Sequence, residues 1–222
     1  MYKIALDGPS GSGKSVMAKA VAKKLGILYV DTGALYRAIG LYMFRNNIDI
    51  KNKEAVVANL KNIVVELSHG DEGQIVLLNG ENVSHDIRLP EISMYASGVS
   101  SIGEVRAFLL DIQRDTAKKN NVIMDGRDIG TVIFPDAEVK IFLFAQDEIR
   151  AQRRYKELIE KGIQTTLEEV LSDMQKRDEN DRNREIAPAR PADDAVMLDS
   201  SYLNIDETIA KIIEIIESKI NL

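Results

Sequence analysis

The chain has 222 residues, 45% of them apolar, and no cysteine. That length fits one main domain with a small insert, and the composition excludes disulfides and thiolate-held zinc. A net charge of −6 argues against a binder of nucleic-acid polymers, which depends on a basic face.

The first residues, "MYKIALD", hold no long apolar run, so neither a secretory signal nor a membrane span is expected, and the protein reads as cytoplasmic. Lys3–Asp7 reads as a short apolar strand. A glycine-rich stretch follows and opens onto a helix over Ser15–Gly26, where Gly26 suits the C-terminal cap. Ile27–Asp31 reads as a second strand and Gly33–Asn47 as a helix. Asn62–Arg88 alternates apolar and polar residues and carries turn signals at "HGDEG" and "NGEN", which predicts an antiparallel insert of two or three strands. Both histidines, His69 and His85, fall there and are expected to face solvent.

Glu104–Lys119 reads as another helix. "NVIMD" (Asn121–Asp125), "VKIFLFA" (Val139–Ala145) and "AVMLDS" (Ala195–Ser200) are apolar runs of the kind that form strands covered on both faces. Thr165 and Glu168 predict a capping box. The closing helix, with Asp206 as N-cap, sets Ile209, Ile212, Ile213, Ile216 and Ile220 on one face. Strands alternating with helices imply an α/β fold around a parallel sheet.

Gly8, Gly13, Lys14 and Ser15 match G-x-x-x-x-G-K-[ST] between a strand and a helix, the context that motif requires. Glycines let successive backbone N–H groups curl round a phosphate, and the helix adds its positive end. Gly8, Pro9, Ser10, Gly11, Ser12, Gly13, Lys14, Ser15 and Val16 are therefore the candidate triphosphate site. Lys14 reaches the β- and γ-phosphates and the Ser15 hydroxyl is a Mg²⁺ ligand. The D-x-x-G and N-K-x-D signatures expected of a GTPase are absent from the sequence, and the chain is short for a motor ATPase, which leaves the small phosphotransferases.

"DTGALYRA" (Asp31–Ala38) sets a hydroxyl and a glycine between a strand end and a helix start, a second anion-site pattern. Thr32 and Arg37 are its candidates. "VIMDGRDIGTVIFPDA" (Val122–Ala137) ends an apolar strand in Asp125, placed as a Mg²⁺-orienting acid. Arg127 and Asp128 follow, beyond the carboxyl end of a central strand, where open α/β sheets bind ligands. "DEIRAQRRYKE" (Asp147–Glu157) and "MQKRDENDRNRE" (Met174–Glu185) concentrate arginine, either on solvated helix faces or as guanidinium groups around anions.

"GPSGSGKS", "DTGALYR", "DGRDIGTVIFPDA" and "RDENDRNREIAP", in this order, resemble the bacterial cytidylate kinases. The resemblance runs from about Lys3 to the C-terminus. It implies a P-loop three-layer α/β fold in one kinase core over 1–222: a five-stranded parallel sheet, a small antiparallel β insert over about 62–100 that binds the monophosphate, and a short lid over about 150–184. It implies ATP as donor, Mg²⁺, and CMP or dCMP as acceptor. Carried over by position, Thr32, Arg37, Arg127 and Arg184 hold the CMP phosphate. Ser97, Arg106 and Asp128 read the cytosine, and Asp181 with Arg177 contacts the sugar. Arg150, Arg153 and Arg154 fall where the lid begins. Lys14, Arg127, Arg184, Arg150 and Arg154 form the expected catalytic set.

Chemistry supports the base assignment. A carboxylate at position 128 accepts from the cytosine amino group and meets a carbonyl on uracil. Without the resemblance, Arg106 reads as an exposed charge. A sealed pocket for two substrates needs no partner chain, so a monomer is expected. Two other readings stay open. One is a kinase for UMP, AMP or a metabolite hydroxyl, with Asp31 or Asp125 as base. The other is a non-enzymatic nucleotide-dependent binding module.

Overall fold

Apolar runs become buried strands, and the polar segments that follow them become the loops and helices of the site. The computed structural model describes residues 1–70 and 73–220. In chain order the elements are β1 (Lys3–Asp7), α1 (Lys14–Leu25), β2 (Leu28–Asp31), α2 (Thr32–Arg45), α3 (Lys53–Asn59), β3 (Val65–Gly70), β4 (Gly73–Leu78), β5 (Glu81–Asn82), α4 (Pro90–Ser100), α5 (Gly103–Asp115), β6 (Val122–Gly126), β7 (Val139–Phe144), α6 (Asp147–Glu160), α7 (Leu167–Asn183), β8 (Val196–Asp199) and α8 (Ile205–Lys219). A π-helical turn over Ile129–Ile133 follows β6.

The main sheet has five strands in the order β2-β6-β1-β7-β8, and β3-β4-β5 form a separate three-stranded sheet. The pairs β1/β6, β1/β7 and β7/β8 are parallel. Ile4, Ala5 and Leu6 of β1 and Val122, Ile123 and Met124 of β6 are completely buried, the burial expected of strands covered on both faces. Register places Leu6 opposite Asp125 and Asp7 opposite Gly126. Two carboxylates therefore end neighbouring central strands at the sheet's carboxyl edge.

The chain divides into two compact units, one of Tyr29–Asn120 with Met1, the other of Tyr2–Leu28 with Asn121–Leu222. In the first, Leu35, Ile39, Met43, Ile87, Ile92 and Leu109 are among the residues of one buried core. Its antiparallel sheet matches the expected insert. Asn79 and Gly80 both take positive φ, 50° and 83°, between the paired residues Leu78 and Glu81, as a two-residue hairpin turn requires. The "HGDEG" turn lies partly outside the described residues. Gln74 of β4 ties the sheet to the end of β2: its Oε1 accepts the Asp31 N–H at 2.8 Å and its Nε2 donates to the Asp31 carbonyl at 3.1 Å.

In the second unit, α6 and α7 pack through Ala151, Val170 and Met174. Two expected caps move. The capping box is Thr166 with Glu169, not Thr165 with Glu168, because α7 starts one residue later than the pattern suggests. Asn204 with Glu207 caps α8, and Asp206 sits inside the first turn, where its charge favours the helix dipole. Ile209, Ile212 and Ile216 are buried as expected, while Ile220 lies beyond the last turn.

In the first unit, α2 and α4 meet at Gly40, where an added Cβ would stand 2.8 Å from the Ala96 backbone nitrogen and 3.1 Å from the Tyr95 carbonyl carbon. Backbone cannot yield as a side chain can. Gly40→Ala is expected to cost about 1–3 kcal/mol, read as a melting temperature several degrees lower. An unchanged melting temperature would show that the helices separate freely there.

Candidate active site

The P-loop takes its shape from glycines at positions other residues cannot hold. Gly8, Gly11 and Gly13 have φ of 152°, 69° and 87°. A Cβ on Gly8 would stand 2.0 Å from the Leu143 carbonyl oxygen, so β7 closes that side of the loop. Asp31, Thr166 and Asn204 cap α2, α7 and α8 with their side chains, whereas Gly13 begins α1 with no side-chain cap. No side chain therefore takes the first N–H groups of α1, which suits them to an anion. The Val16 side chain is exposed, so its backbone is the part that can serve a nucleotide.

Lys14 is buried at the first position of α1. Its Nζ donates to the Pro9 carbonyl at 2.6 Å and to Ser12 Oγ at 3.3 Å, arching over the loop. Burial, followed by the neighbouring Arg127 charge, lowers its pKa well below the usual lysine value; Asp125, Asp7 and Asp178 oppose them. Ser15 Oγ donates to Asp125 Oδ2 at 2.8 Å. The two residues read as Mg²⁺ ligands from sequence therefore touch. A hydroxyl beside a carboxylate at a strand end offers hard oxygens of the kind Mg²⁺ takes together with water and phosphate.

Asp7 accepts from the Ile129 and Gly130 N–H groups, both at 2.8 Å. It thereby ties the start of the P-loop to the segment that carries Arg127 and Asp128. Burial raises its pKa from 3.8 to about 6; the two N–H bonds and Lys14 pull it down, and Asp128 pushes it up.

Arg127 Nε donates to Asp181 Oδ2 at 2.9 Å. Burial lowers its pKa, but Asp181, Asp178 and Asp125 outweigh burial and the net shift is upward. Arg184 stands 3.6 Å from Asp128 and 3.8 Å from Asp181, with its side chain 5% exposed. The second unit thus gathers Lys14, Arg127, Arg184, Asp125, Asp128 and Asp181 into one charged cluster. Arg177 lies half-buried on α7, one helical turn before Asp181.

The α6 arginines separate. Arg153 donates to the Ser200 carbonyl at 2.6 Å, and Arg154 pairs with Glu157 at 2.8 Å while a third exposed. Arg150, expected at a lid, is instead buried with four protein acceptors: Ala145, Ser10, Asp178 and Asp147.

In the first unit, Asp31 Oδ1 caps α2 through the Ala34 N–H at 3.1 Å. Thr32 is buried at the first helical position, released from the capping role. Arg37 Nη1 donates to Ser93 Oγ at 3.0 Å. Arg106 is 8% exposed, not the surface charge its helix pattern alone suggests. It donates to the Ser100 carbonyl at 3.1 Å and lies over the Tyr36 ring at 5.4 Å, a cation–π contact. Ser97, half-buried, is on α4 of the same unit. His69 and His85 are exposed, and among the described residues no group of three or more His, Cys, Asp or Glu is placed to hold a metal.

The cytidylate kinase family profile matches residues 4–218. The chain belongs to this family. It is 47% identical to the cytidylate kinase of Thermosipho melanesiensis over 220 residues, covering 99% of both chains. It is 50% identical to that of Caldicellulosiruptor saccharolyticus over 212 residues, covering 96% of this chain and 94% of that one. A crystal structure of an uncharacterized protein from Eubacterium ventriosum shares the fold, with a TM-score of 0.53 at 15% identity and 98% and 99% coverage. The membership makes the protein a phosphotransferase of the nucleoside-monophosphate kinase type. This removes the binding-module reading.

Asp7, Asp178 and Tyr36 are site neighbours that the sequence reading missed. For Asp7 a signal existed, since it ends the same apolar strand that leads into the P-loop. Asp178 and Tyr36 carried none beyond proximity to assigned residues.

Because the fold favours protonated Asp7, its stabilising effect is complete below its unfolded pKa of 3.8 and is lost as pH rises through about 6. Asp7→Asn cannot titrate. The stability of the wild type relative to Asp7→Asn is expected to fall by about 2–3 kcal/mol between about pH 4 and pH 7. Denaturant titrations across that range measure it, and a difference independent of pH would contradict the assignment.

Proposed function

We propose that the protein transfers the γ-phosphoryl group of ATP to the phosphate of CMP or dCMP, giving ADP and CDP or dCDP. What supports this reading is the meeting of Lys14 and Arg127 in one charged cluster: the Arg127 charge is the second-largest cause of the Lys14 shift, after burial. A lysine suited to a triphosphate and an arginine suited to a monophosphate lie in one field.

In the reaction a CMP phosphate oxygen attacks the γ-phosphorus of ATP, and the bond to the β–γ bridging oxygen breaks in line with the attack. The acceptor is already ionised, so no side chain need remove a proton. Asp31, the base a hydroxyl acceptor would need, caps α2, and Asp125 accepts from Ser15. P-loop amides and Lys14 hold the β- and γ-phosphates, and Lys14 exchanges its bonds to Pro9 and Ser12 for phosphate oxygens. Ser15 and Asp125 would hold Mg²⁺, which would supply charge neutralisation to the transferring phosphates. Arg127 and Arg184, with Thr32 and Arg37, take the CMP phosphate. Arg154 faces the charge that spreads over the equatorial oxygens. Ser97, Arg106 and Asp128 read cytosine, and Asp181 with Arg177 meets the sugar. The cytoplasmic location and monomeric state expected from the sequence go with this reading. No helix among the described residues is long and apolar enough to cross a membrane.

A coupled ADP-release assay with CMP, dCMP, UMP and AMP tests the acceptor. CMP and dCMP are expected to turn over at least ~10-fold faster than the other two, since unmatched hydrogen bonds reject the wrong base. Equal rates with UMP or AMP would sink the cytosine assignment. Asp128→Asn is expected to lower the CMP-to-UMP ratio of kcat/KM by about 5- to 100-fold. An unchanged ratio would remove Asp128 from base reading.

A further inference from the structure

Arg150 and Asp178 form an ion pair at 2.6 Å with side chains only 4% and 6% exposed. Burial strips both charges of water, and that cost offsets most of their attraction, so stability alone gives such a pair little reason to exist. Its geometry supplies another. Both members grip Ser10: Asp178 Oδ1 accepts the Ser10 N–H at 2.9 Å, and Arg150 Nη1 donates to the Ser10 carbonyl at 2.5 Å. The guanidinium is itself held from three further sides, by the Ala145 carbonyl at 3.1 Å, Asp178 at 2.6 Å and Asp147 at 2.5 Å. The next residue, Gly11, has φ of 69°, and a Cβ there would stand 2.6 Å from Met174 Cε. Thus α6 and α7 press on the outer side of the P-loop at the residues where its curl begins. With both backbone polar groups of Ser10 committed, the amides that follow are the ones left to aim at phosphate.

We propose that Arg150 and Asp178 are a positioning pair for the donor nucleotide: by fixing both backbone polar groups of Ser10 they hold the P-loop in its phosphate-binding curve without touching the nucleotide. The inference rests on the reading of Gly8–Val16 as the ATP site. It separates Arg150 from the arginines that act on phosphate and leaves Arg154, which pairs with the exposed Glu157 on the same helix, to that task. The planar fork of arginine is what lets one side chain meet a backbone carbonyl and three other acceptors at once; a lysine ammonium cannot span that set. A loop shaped in advance binds more tightly because less ordering remains to be done on binding.

Two variants of the full chain test this. Arg150→Lys keeps the charge and loses the fork. Arg150→Met combined with Asp178→Leu removes both charges together, so that neither is left buried alone, and is expected to melt close to the wild type. Calorimetric titration with ATP, melting curves and steady-state kinetics are measured for each. Both variants are expected to weaken ATP binding and raise KM for ATP at least ~10-fold, and Arg150→Lys, which leaves Asp178 in place beside Arg127, is expected to keep KM for CMP within about 2-fold of the wild type. Wild-type ATP affinity in a double variant that melts normally would overturn the proposal, because the pair would then be structural only. If the double variant does not fold, Arg150→Lys decides: unchanged ATP affinity overturns the proposal, and a donor-specific loss supports it. Failure of the wild type to bind ATP would instead overturn the reading of the loop itself.

Discussion

Cations must stand together at the carboxyl edge of the sheet before any nucleotide arrives, and this is the hardest condition the fold meets. Lys14 and Arg127 lie close enough for the arginine to depress the lysine's pKa, a repulsion that would by itself drive them apart. Carboxylates prevent that. Asp181, Asp178 and Asp125 outweigh the burial of Arg127, and Asp125, Asp7 and Asp178 oppose the shift of Lys14. The cluster is held by acids that polyphosphate can supplement, so the field is organised in advance and little rearrangement remains for the transition state.

The parallel sheet makes this arrangement possible. Strands β1 and β6 run side by side in register and release their chains at the same edge. One leads into the P-loop and the other into the segment of Arg127 and Asp128. Asp7 then binds the two exits together through the Ile129 and Gly130 amides. Helix α7 serves the same cluster at three places, with Asp178 on Ser10, Asp181 on Arg127, and Arg184, at its C-terminal cap, near Asp128. Chemistry on an acceptor that is already an anion asks for this kind of positive, pre-formed edge, and for no histidine. Both histidines are exposed, His69 on β3 and His85 in the turn beyond β5.

Much of this was legible in the sequence because it is written locally. The G-x-x-x-x-G-K-S spacing, the apolar strands ending in Asp7 and Asp125, and the "NGEN" hairpin depend on neighbours a few residues away. What was not legible depends on distant partners. Nothing near Asp178 says that it will meet Ser10, 168 residues earlier, and nothing near Arg150 distinguishes it from Arg153 and Arg154 on the same helix. Burial decides between them, and burial is a property of the packed chain. Arg106 shows the same limit: its surroundings on α5 read as a surface, yet the Tyr36 ring lies beneath it. The shifted caps at Thr166 and Asn204 are smaller misses of the same origin, since packing chooses which of several competent residues begins the helix.

The central claim is that Lys14 and Arg127 serve one continuous phosphate path. Adenosine and cytidine joined 5′ to 5′ through five phosphates measure it directly by calorimetric titration. One molecule is expected to bind per chain, at least ~100-fold more tightly than ATP alone, as linked ligands do when both ends engage. Binding no tighter than that of ATP would mean that the two cations do not share a path.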